Sequence, residues 1–198
     1  MVKQFISFLA VIFVTPLLFT WKMYRACTGK ETLFVTYSQL LSLIPGKVGI
    51  YLRRAFYSMA LPECADDIYV GFGTFFSHST VKIGKGVYIG GGCTIGMVDI
   101  GQGTMIGSNV DILSGRRQHL RNLENRLSDS KEGIFEQIAI GENSWIGNSA
   151  VVMAPLGENC TVGAGSVVVK RVSDGQRVAG NPARVINHLD VTDKLVSR

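Results

Sequence analysis

The chain has 198 residues, 46% of them hydrophobic and only 18% charged, with 23 glycines and a net charge of +5. That length holds one main domain with a large core plus an appended segment, and the composition excludes disorder in favour of a glycine-punctuated, strand-rich fold. The cations are scattered, with small pairs at Arg53-Arg54, Arg116-Arg117 and Lys170-Arg171 but no dense basic stripe, which argues against a nucleic-acid partner and toward phosphate on a small ligand or on lipid.

Residues 1–31 form an apolar, membrane-associating segment. Phe5 to Trp21 carries no charge; as a helix it would run about 25 Å, a little under the roughly 30 Å of a hydrocarbon core. Spanning the bilayer and lying on it are both open. Pro16 is expected to kink this helix or split it into a re-entrant pair, while Trp21, Lys22 and Arg25 suit a headgroup boundary. No small-x-small cleavage site follows, which argues against a signal peptide.

Residues 32–66 read as a helical cap. Leu33, Tyr37, Leu40, Leu41 and Ile44 fall at helical spacing, Pro45-Gly46 interrupts, and Val48, Tyr51, Leu52, Ala55 and Phe56 resume it, predicting two short amphipathic helices. Arg53-Arg54 and the aromatic faces are expected to touch lipid as well.

From Val70 onward an aliphatic residue followed by glycine recurs every six residues: Ile83, Ile89, Ile95, then Ile100 and Ile106, and later Ile140, Ile146 and Val162. Strands repeat every two residues and helices every 3.6, so a period of six fits neither. It fits a triangular solenoid, three hexads to a coil, with the aliphatic residue inward and the glycine at the turn. About twelve hexads predict four coils or slightly more. The four cysteines, Cys27, Cys64, Cys93 and Cys160, have no CxxC spacing and read as buried thiols of a reducing compartment, not a disulfide frame or zinc site.

The hexads stop at Ser114 and resume after Gln137. An insertion cannot sit inside a stacked coil, so residues 114–137 must protrude at a corner, and a loop of that length in a compact domain is more often functional than idle. Leu120, Leu123, Leu127, Ile134 and Phe135 offer it apolar anchors. The loop carries His119, one of three histidines with His78 and His188, and histidine is the side chain whose ordinary pKa suits a base near neutral pH.

The hexads, together with IGENSWIGNSAVVMA, VGAGSVVVKRV and AGNPARVI, resemble the hexapeptide-repeat acyltransferases over about residues 70–186, within them the sugar and polysaccharide O-acetyltransferases akin to maltose, galactoside and xenobiotic acetyltransferases. The resemblance implies an all-β fold, a left-handed parallel β-helix over residues 67–186, with a C-terminal tail or helix over 187–198. It further implies acetyl-CoA as acyl donor, no metal, and a homotrimer with donor grooves between subunits. The matching positions for the donor are Ser144, Trp145, Gly147, Ala164 and Ser166 along the later coils, with Pro182 at the turn near the adenine; Lys170, Arg171 and Arg184, cationic residues in and after the last hexads, are the natural phosphate partners. His119 matches the family's loop histidine and is expected to be the general base, with His78 in reserve and Glu124, Asp111 or Asp129, or a backbone carbonyl, orienting it. Arg116 and Arg117 would meet an acidic sugar or diphosphate.

The expected activity is therefore acetyl transfer to a hydroxyl of a saccharide, lipid-linked or destined for a surface polysaccharide, at the cytoplasmic face of a membrane. Two alternatives are a non-catalytic membrane-tethered scaffold and a zinc carbonic anhydrase-like enzyme. The latter needs three converging imidazoles, which three histidines, one of them near the C-terminus, are poorly placed to supply.

Overall fold

The computed structural model of the protein describes residues 2–115 and 135–186. Three helices come first: α1 (Val2–Thr28), α2 (Thr32–Ser42) and α3 (Gly46–Ala60). Pro16 does not split α1, which runs as one helix of 27 residues. Proline removes the backbone donor to the Ile12 carbonyl; around it Thr20 donates to the Pro16 carbonyl at 3.0 Å and Thr15 to that of Val11 at 2.7 Å.

The remaining elements are short strands stacked into three parallel sheets. The first face holds β1 (Glu63–Cys64), β4 (Lys82–Ile83), β7 (Val98–Ile100) and β10 (Ile138–Ile140), continued by single bridges at Leu156 and Val172. The second face holds β2 (Tyr69–Val70), β5 (Tyr88–Ile89), β8 (Met105–Ile106), β11 (Trp145–Ile146), β13 (Thr161–Val162) and β15 (Arg177–Ala179), closed by the antiparallel β16 (Arg184–Val185). The third face holds β3 (Phe75–Phe76), β6 (Thr94–Ile95), β9 (Asp111–Ile112), β12 (Val151–Val152) and β14 (Val167–Val168).

The solenoid thus makes five full turns, within the four or slightly more expected. Among its rungs are those led by Cys64 and Phe76, whose following residue is not glycine, and by Val172 and Val178 at the far end. Inward residues such as Val70, Phe76, Ile89, Ile106, Ile112 and Val162 are fully buried. Glycine at the turns is forced by stacking: a Cβ on Gly101 would lie 2.6 Å from the backbone nitrogen of Glu142 in the next coil.

Following the inward leads shows where the coils vary. First to second face takes six residues (Cys64 to Val70, Ile83 to Ile89, Ile100 to Ile106, Ile140 to Ile146), as does second to third (Val70 to Phe76, Ile89 to Ile95, Ile106 to Ile112). The return from third to first face takes seven (Phe76 to Ile83), five (Ile95 to Ile100), then 28 (Ile112 to Ile140), then four (Val152 to Leu156, Val168 to Val172). All length variation, the 114–137 insertion included, therefore lies on one edge of the prism.

The helices close the open end of the first coil, which would otherwise present unpaired strand edges. An aromatic series, Trp21, Phe34, Phe56, Tyr57 and Phe76, runs from α1 into the solenoid with successive ring centroids 4.2–5.9 Å apart. Ser38 accepts from the Phe76 backbone at 2.8 Å and shares a 2.7 Å bond with Tyr57. Burial pushes the Tyr57 hydroxyl far above its ordinary range, the bond to Ser38 opposing this only in part.

Four expectations about this region change. The buried face of α2 is Phe34, Ser38, Leu41 and Ser42, and Leu40 is exposed; on α3 Val48 is exposed. Periodicity located the helices but not the stripe, because Ser38 and Ser42 face inward to serve polar contacts. Arg53 is not at a bilayer: it is fully buried, its Nε donating to the Val70 carbonyl at 3.0 Å and its Nη1 to those of Leu41 and Ile44 at 2.9 Å. It satisfies the C-terminal carbonyls of α2, a position that favours a cation, at the cost of desolvation that lowers its pKa. Finally, Cys27 is exposed and Cys64 half-buried; only Cys93 and Cys160 are buried.

Candidate active site

The variable edge is where side chains not needed for stacking collect. At the first coil its turn is Ser77-His78-Ser79-Thr80, between β3 and β4. His78 is half-buried, its Nδ1 2.9 Å from the Ser77 hydroxyl and its ring 5.7 Å from that of Phe135, the first described residue of the loop's returning end. Burial lowers the His78 pKa, with Glu31 opposing, so the ring is held neutral at pH 7. His78 is the only histidine among the described residues. His119 and His188 lie outside them, as do Arg116, Arg117, Glu124, Asp129, Leu120, Leu123, Leu127, Ile134 and the 187–198 tail; Asp111 lies within β9.

Where the chain re-enters the helix, it divides two clefts on this edge. Toward the cap is one of about 490 Å³, lined by Arg25, Ser79, Thr80, Lys82, Asp99 and Gln137 together with Ala60 and Pro62. Gln137 is tied into its wall, Nε2 donating to the Thr80 carbonyl at 2.9 Å and to Asp99 Oδ1 at 2.7 Å. Ser79 is buried, and its hydroxyl has no partner among the described residues. Carboxylate, amide, hydroxyl and two cations make a polar set suited to a polyhydroxylated ligand or one carrying phosphate. None of these residues was singled out as a cleft from the sequence; the signal available was the irregular spacing from Phe76 to Ile83 and from Ile95 to Ile100.

Toward the C-terminal end is a cleft of about 610 Å³, lined by Glu136, Met153, Ala154, Pro155, Val169, Lys170 and Arg171. Lys170 and Arg171 are exposed and also border a smaller cleft of about 230 Å³ over the last turn, which Arg184 shares. The three cations named from the sequence are thus brought together by the turn between β14 and Val172 and by the return strand β16.

The other named donor positions are elsewhere. Gly147 and Ala164 stack at the edge between second and third faces, where a Cβ on Gly147 would lie 2.5 Å from the Ala164 nitrogen. Trp145 points outward from the second face and is 54% exposed. Pro182 follows a cis bond from Asn181 and is exposed. Ser144 and Ser166 are buried, and their hydroxyls serve the stack. Ser144 donates to the Gly157 carbonyl and accepts from the Cys160 amide, both at 3.0 Å, and Ser166 accepts from Gly180 at 3.1 Å. Thr74 makes the same kind of pair in the first coil, donating to the Gly90 carbonyl and accepting from the Cys93 amide, so these hydroxyls are structural in this chain. Burial raises the thiol pKa of both Cys93 and Cys160, which suits neither to nucleophilic attack at neutral pH. Among the described residues no group of three or more His, Cys, Asp or Glu is placed to hold a metal ion.

The family model described as the hexapeptide repeat of succinyl-transferase matches residues 80–114 and 137–170, breaking where the loop leaves the solenoid. The galactoside O-acetyltransferase of Escherichia coli K12 is 33% identical over 127 residues, 61% of this chain and 60% of that protein. The chain spans less than two thirds of the length of the curated relatives it matches. Among solved structures, a galactoside acetyltransferase in complex with coenzyme A superposes with a TM-score of 0.67 at 26% identity, over 82% of each chain. A maltose O-acetyltransferase from Clostridium difficile 630 shares the fold, with a TM-score of 0.68 at 22% identity over 78% of this chain and 83% of that one.

Proposed function

Since this chain is a hexapeptide-repeat, left-handed β-helix protein related to the galactoside O-acetyltransferases, we propose that it transfers an acetyl group from acetyl-CoA to a hydroxyl of a saccharide. The observation that carries this reading is the single variable edge, on which a cationic cleft and a polar cleft flank the root of the loop. Acetyl-CoA enters from the cationic side, with Lys170, Arg171 and Arg184 taking its phosphates as charge-assisted partners. The acceptor enters from the cap side, where Ser79, Asp99 and Gln137 present donors and acceptors to hydroxyls.

His119, in the insertion whose ends are rooted on this edge, is the base. Its neutral imidazole takes the proton of the acceptor hydroxyl as the oxygen attacks the thioester carbonyl; the tetrahedral intermediate collapses with loss of coenzyme A thiolate, which recovers that proton from the imidazolium. Arg116 and Arg117, next to His119 in sequence, would meet negative charge on the acceptor. A second base has a specific observation in its favour: His78 lies on the same edge, touches Phe135 and is held neutral.

The distribution of donor positions supports a homotrimer. Gly147, Ala164 and outward Trp145 belong to a different side of the prism from Lys170 and Arg171, so one copy cannot gather them into one groove. Two copies packed side by side would. Trp145 stands on the outer side of the second face in register with the likewise exposed Met105 and Tyr88, an apolar strip that such packing would bury.

The N-terminal helix is long and apolar enough to cross a membrane, and its last turn contributes Arg25 to the acceptor-side cleft. That adjacency supports membrane association with a lipid-linked saccharide as acceptor, placed in this proposal at the cytoplasmic face, where acetyl-CoA is available. The deciding experiment incubates the purified full-length chain with acetyl-CoA and a panel of soluble and lipid-linked saccharides, reading thiol release and the mass increment of one acetyl group on the acceptor. Acetyl-CoA binding with transfer supports the assignment; no binding of acetyl-CoA leaves the scaffold reading. The mass in solution by light scattering tests the trimer.

A further inference from the structure

We propose that α1 engages the bilayer lying in its surface, with both ends on the same side, and does not cross it. This rests on the membrane association proposed above and specifies its geometry. The helix has two apolar faces with different fates. Ala10, Val14, Leu18 and Trp21 are buried against the cap. Phe5, Phe8, Ile12, Phe19 and Met23 are each more than half exposed; at 100° per residue they fall within an arc of about 60° on the opposite side. A row of this kind along a helix of 27 residues exceeds the scattered apolar residues of an ordinary soluble surface.

The charges around the row identify a lipid surface as what covers it. Residues 1–30 contain Lys3, Lys22, Arg25 and Lys30 and no Asp or Glu, and all four cations are exposed. Lys3 stands at the N-terminal end of the helix and Lys22 and Arg25 at its C-terminal end, with Lys30 just beyond; Lys3 and Arg25 fall on the cap side and Lys22 on the flank, so no charge interrupts the outward row from Phe5 to Phe19. Arg25 is paired with Glu31 at 3.0 Å, so the rim is carried by Lys3, Lys22 and Lys30; this excess of positive charge at headgroup height fits anionic lipid.

The docking of α1 to the cap decides between lying and crossing. Arg54 donates to the Ser7 hydroxyl at 3.1 Å near one end, and Thr20 and Tyr37 share a 2.9 Å bond near the other, beside the Trp21–Phe34 ring contact at 5.5 Å. A crossing helix would have to leave this seat, exposing the apolar faces of Phe34 and Phe56, or carry α3 with Lys47, Arg53 and Arg54 into hydrocarbon, where charges are costly. Lying in the surface requires neither.

The protein's own thiols allow a direct test. Cys27 at the C-terminal end of α1 is exposed, Cys93 and Cys160 are buried, and burial pushes the Cys64 thiol up to about 12, so a maleimide at neutral pH should report on Cys27 alone. Full-length protein is bound to sealed phosphatidylcholine–phosphatidylglycerol vesicles of about 7:3 and exposed to a membrane-impermeant maleimide. Cys27 in the natural chain, and the thiol of a Lys3→Cys, Cys27→Ser variant, should label equally without detergent. Labelling at position 3 only after detergent overturns the proposal while leaving membrane association intact; failure of the natural chain to float with the vesicles overturns both. A Phe8→Ser, Phe19→Ser variant alters only exposed positions and should lose vesicle flotation at least tenfold with an unchanged melting curve; retained flotation also overturns the proposal. Acetyl transfer to a soluble sugar, measured in parallel, reports on the enzymatic assignment separately.

Discussion

Glu136 and Gln137 are consecutive, yet they line different clefts: Glu136 the cationic one with Lys170 and Arg171, Gln137 the polar one with Ser79 and Asp99. The re-entering segment just before β10 is therefore the wall between two compartments of one edge. A transfer reaction needs two ligands held apart except at the reacting atoms, and this wall provides that separation.

Substitutions on the two sides should separate in kinetics. Lys170→Ala and Arg171→Ala should each raise the KM for acetyl-CoA roughly five- to tenfold, about 1–1.4 kcal/mol for an exposed charge-assisted contact. The acceptor KM should barely move, and the effect should shrink in high salt. Steady-state kinetics at two ionic strengths check this.

On the other side, Gln137→Ala removes the donor that ties Thr80 to Asp99, and Asp99→Ala removes its acceptor. Both should raise the acceptor KM by roughly three- to tenfold, in the range of a single neutral or charged hydrogen bond, and leave acetyl-CoA binding intact by calorimetry. A rise in the acetyl-CoA KM instead would reverse the assignment of the two clefts.

The base is tested by His119→Ala, expected to lower kcat by about 10²–10⁴ with little change in acetyl-CoA affinity. His78→Ala should stay within a few fold. The opposite ranking would move the base to the first coil. His78 also predicts a pH dependence of stability. Burial lowers its folded pKa below the ordinary value of 6.5, so between the two values the unfolded chain binds the proton and the folded one does not. Stability is then full above pH 6.5 and falls as pH drops through that window. The melting temperature of the natural chain should decline from pH 7 to pH 5 more steeply than that of His78→Gln.

Arg53→Ala should detach the cap from the first coil. It leaves the carbonyls of Val70, Leu41 and Ile44 without their donor inside a buried junction, a loss of about 3 kcal/mol or more. Arg53→Lys should rescue little, because a point ammonium cannot reach three carbonyls from one planar fork. Chemical denaturation gives both numbers.

Gly101→Ala should cost about 1–3 kcal/mol, since its Cβ would lie 2.6 Å from the backbone of Glu142 in the next coil. The position matters because Gly101 and Glu142 are neighbours only after the chain has made the long excursion of residues 114–137. The loss should appear as a lower denaturation midpoint with an unchanged slope.

The six-residue period determined the solenoid, its inward residues and the place where it is interrupted, because every coil must present the same lead to the same narrow core. It also put Lys170 and Arg171 at a turn and His119 within the insertion between two coils. The sequence could not show that Arg53 is a buried clamp and not a lipid contact, that Ser144 and Ser166 spend their hydroxyls within the stack, or that Ser79, Asp99 and Gln137 share a cleft. Those depend on which coils stack across gaps of 16 to 40 residues, and on how a helical cap with no six-residue repeat seats on the first of them. Periodicity specifies the neighbour along the chain; only the stacked structure specifies the neighbour across it.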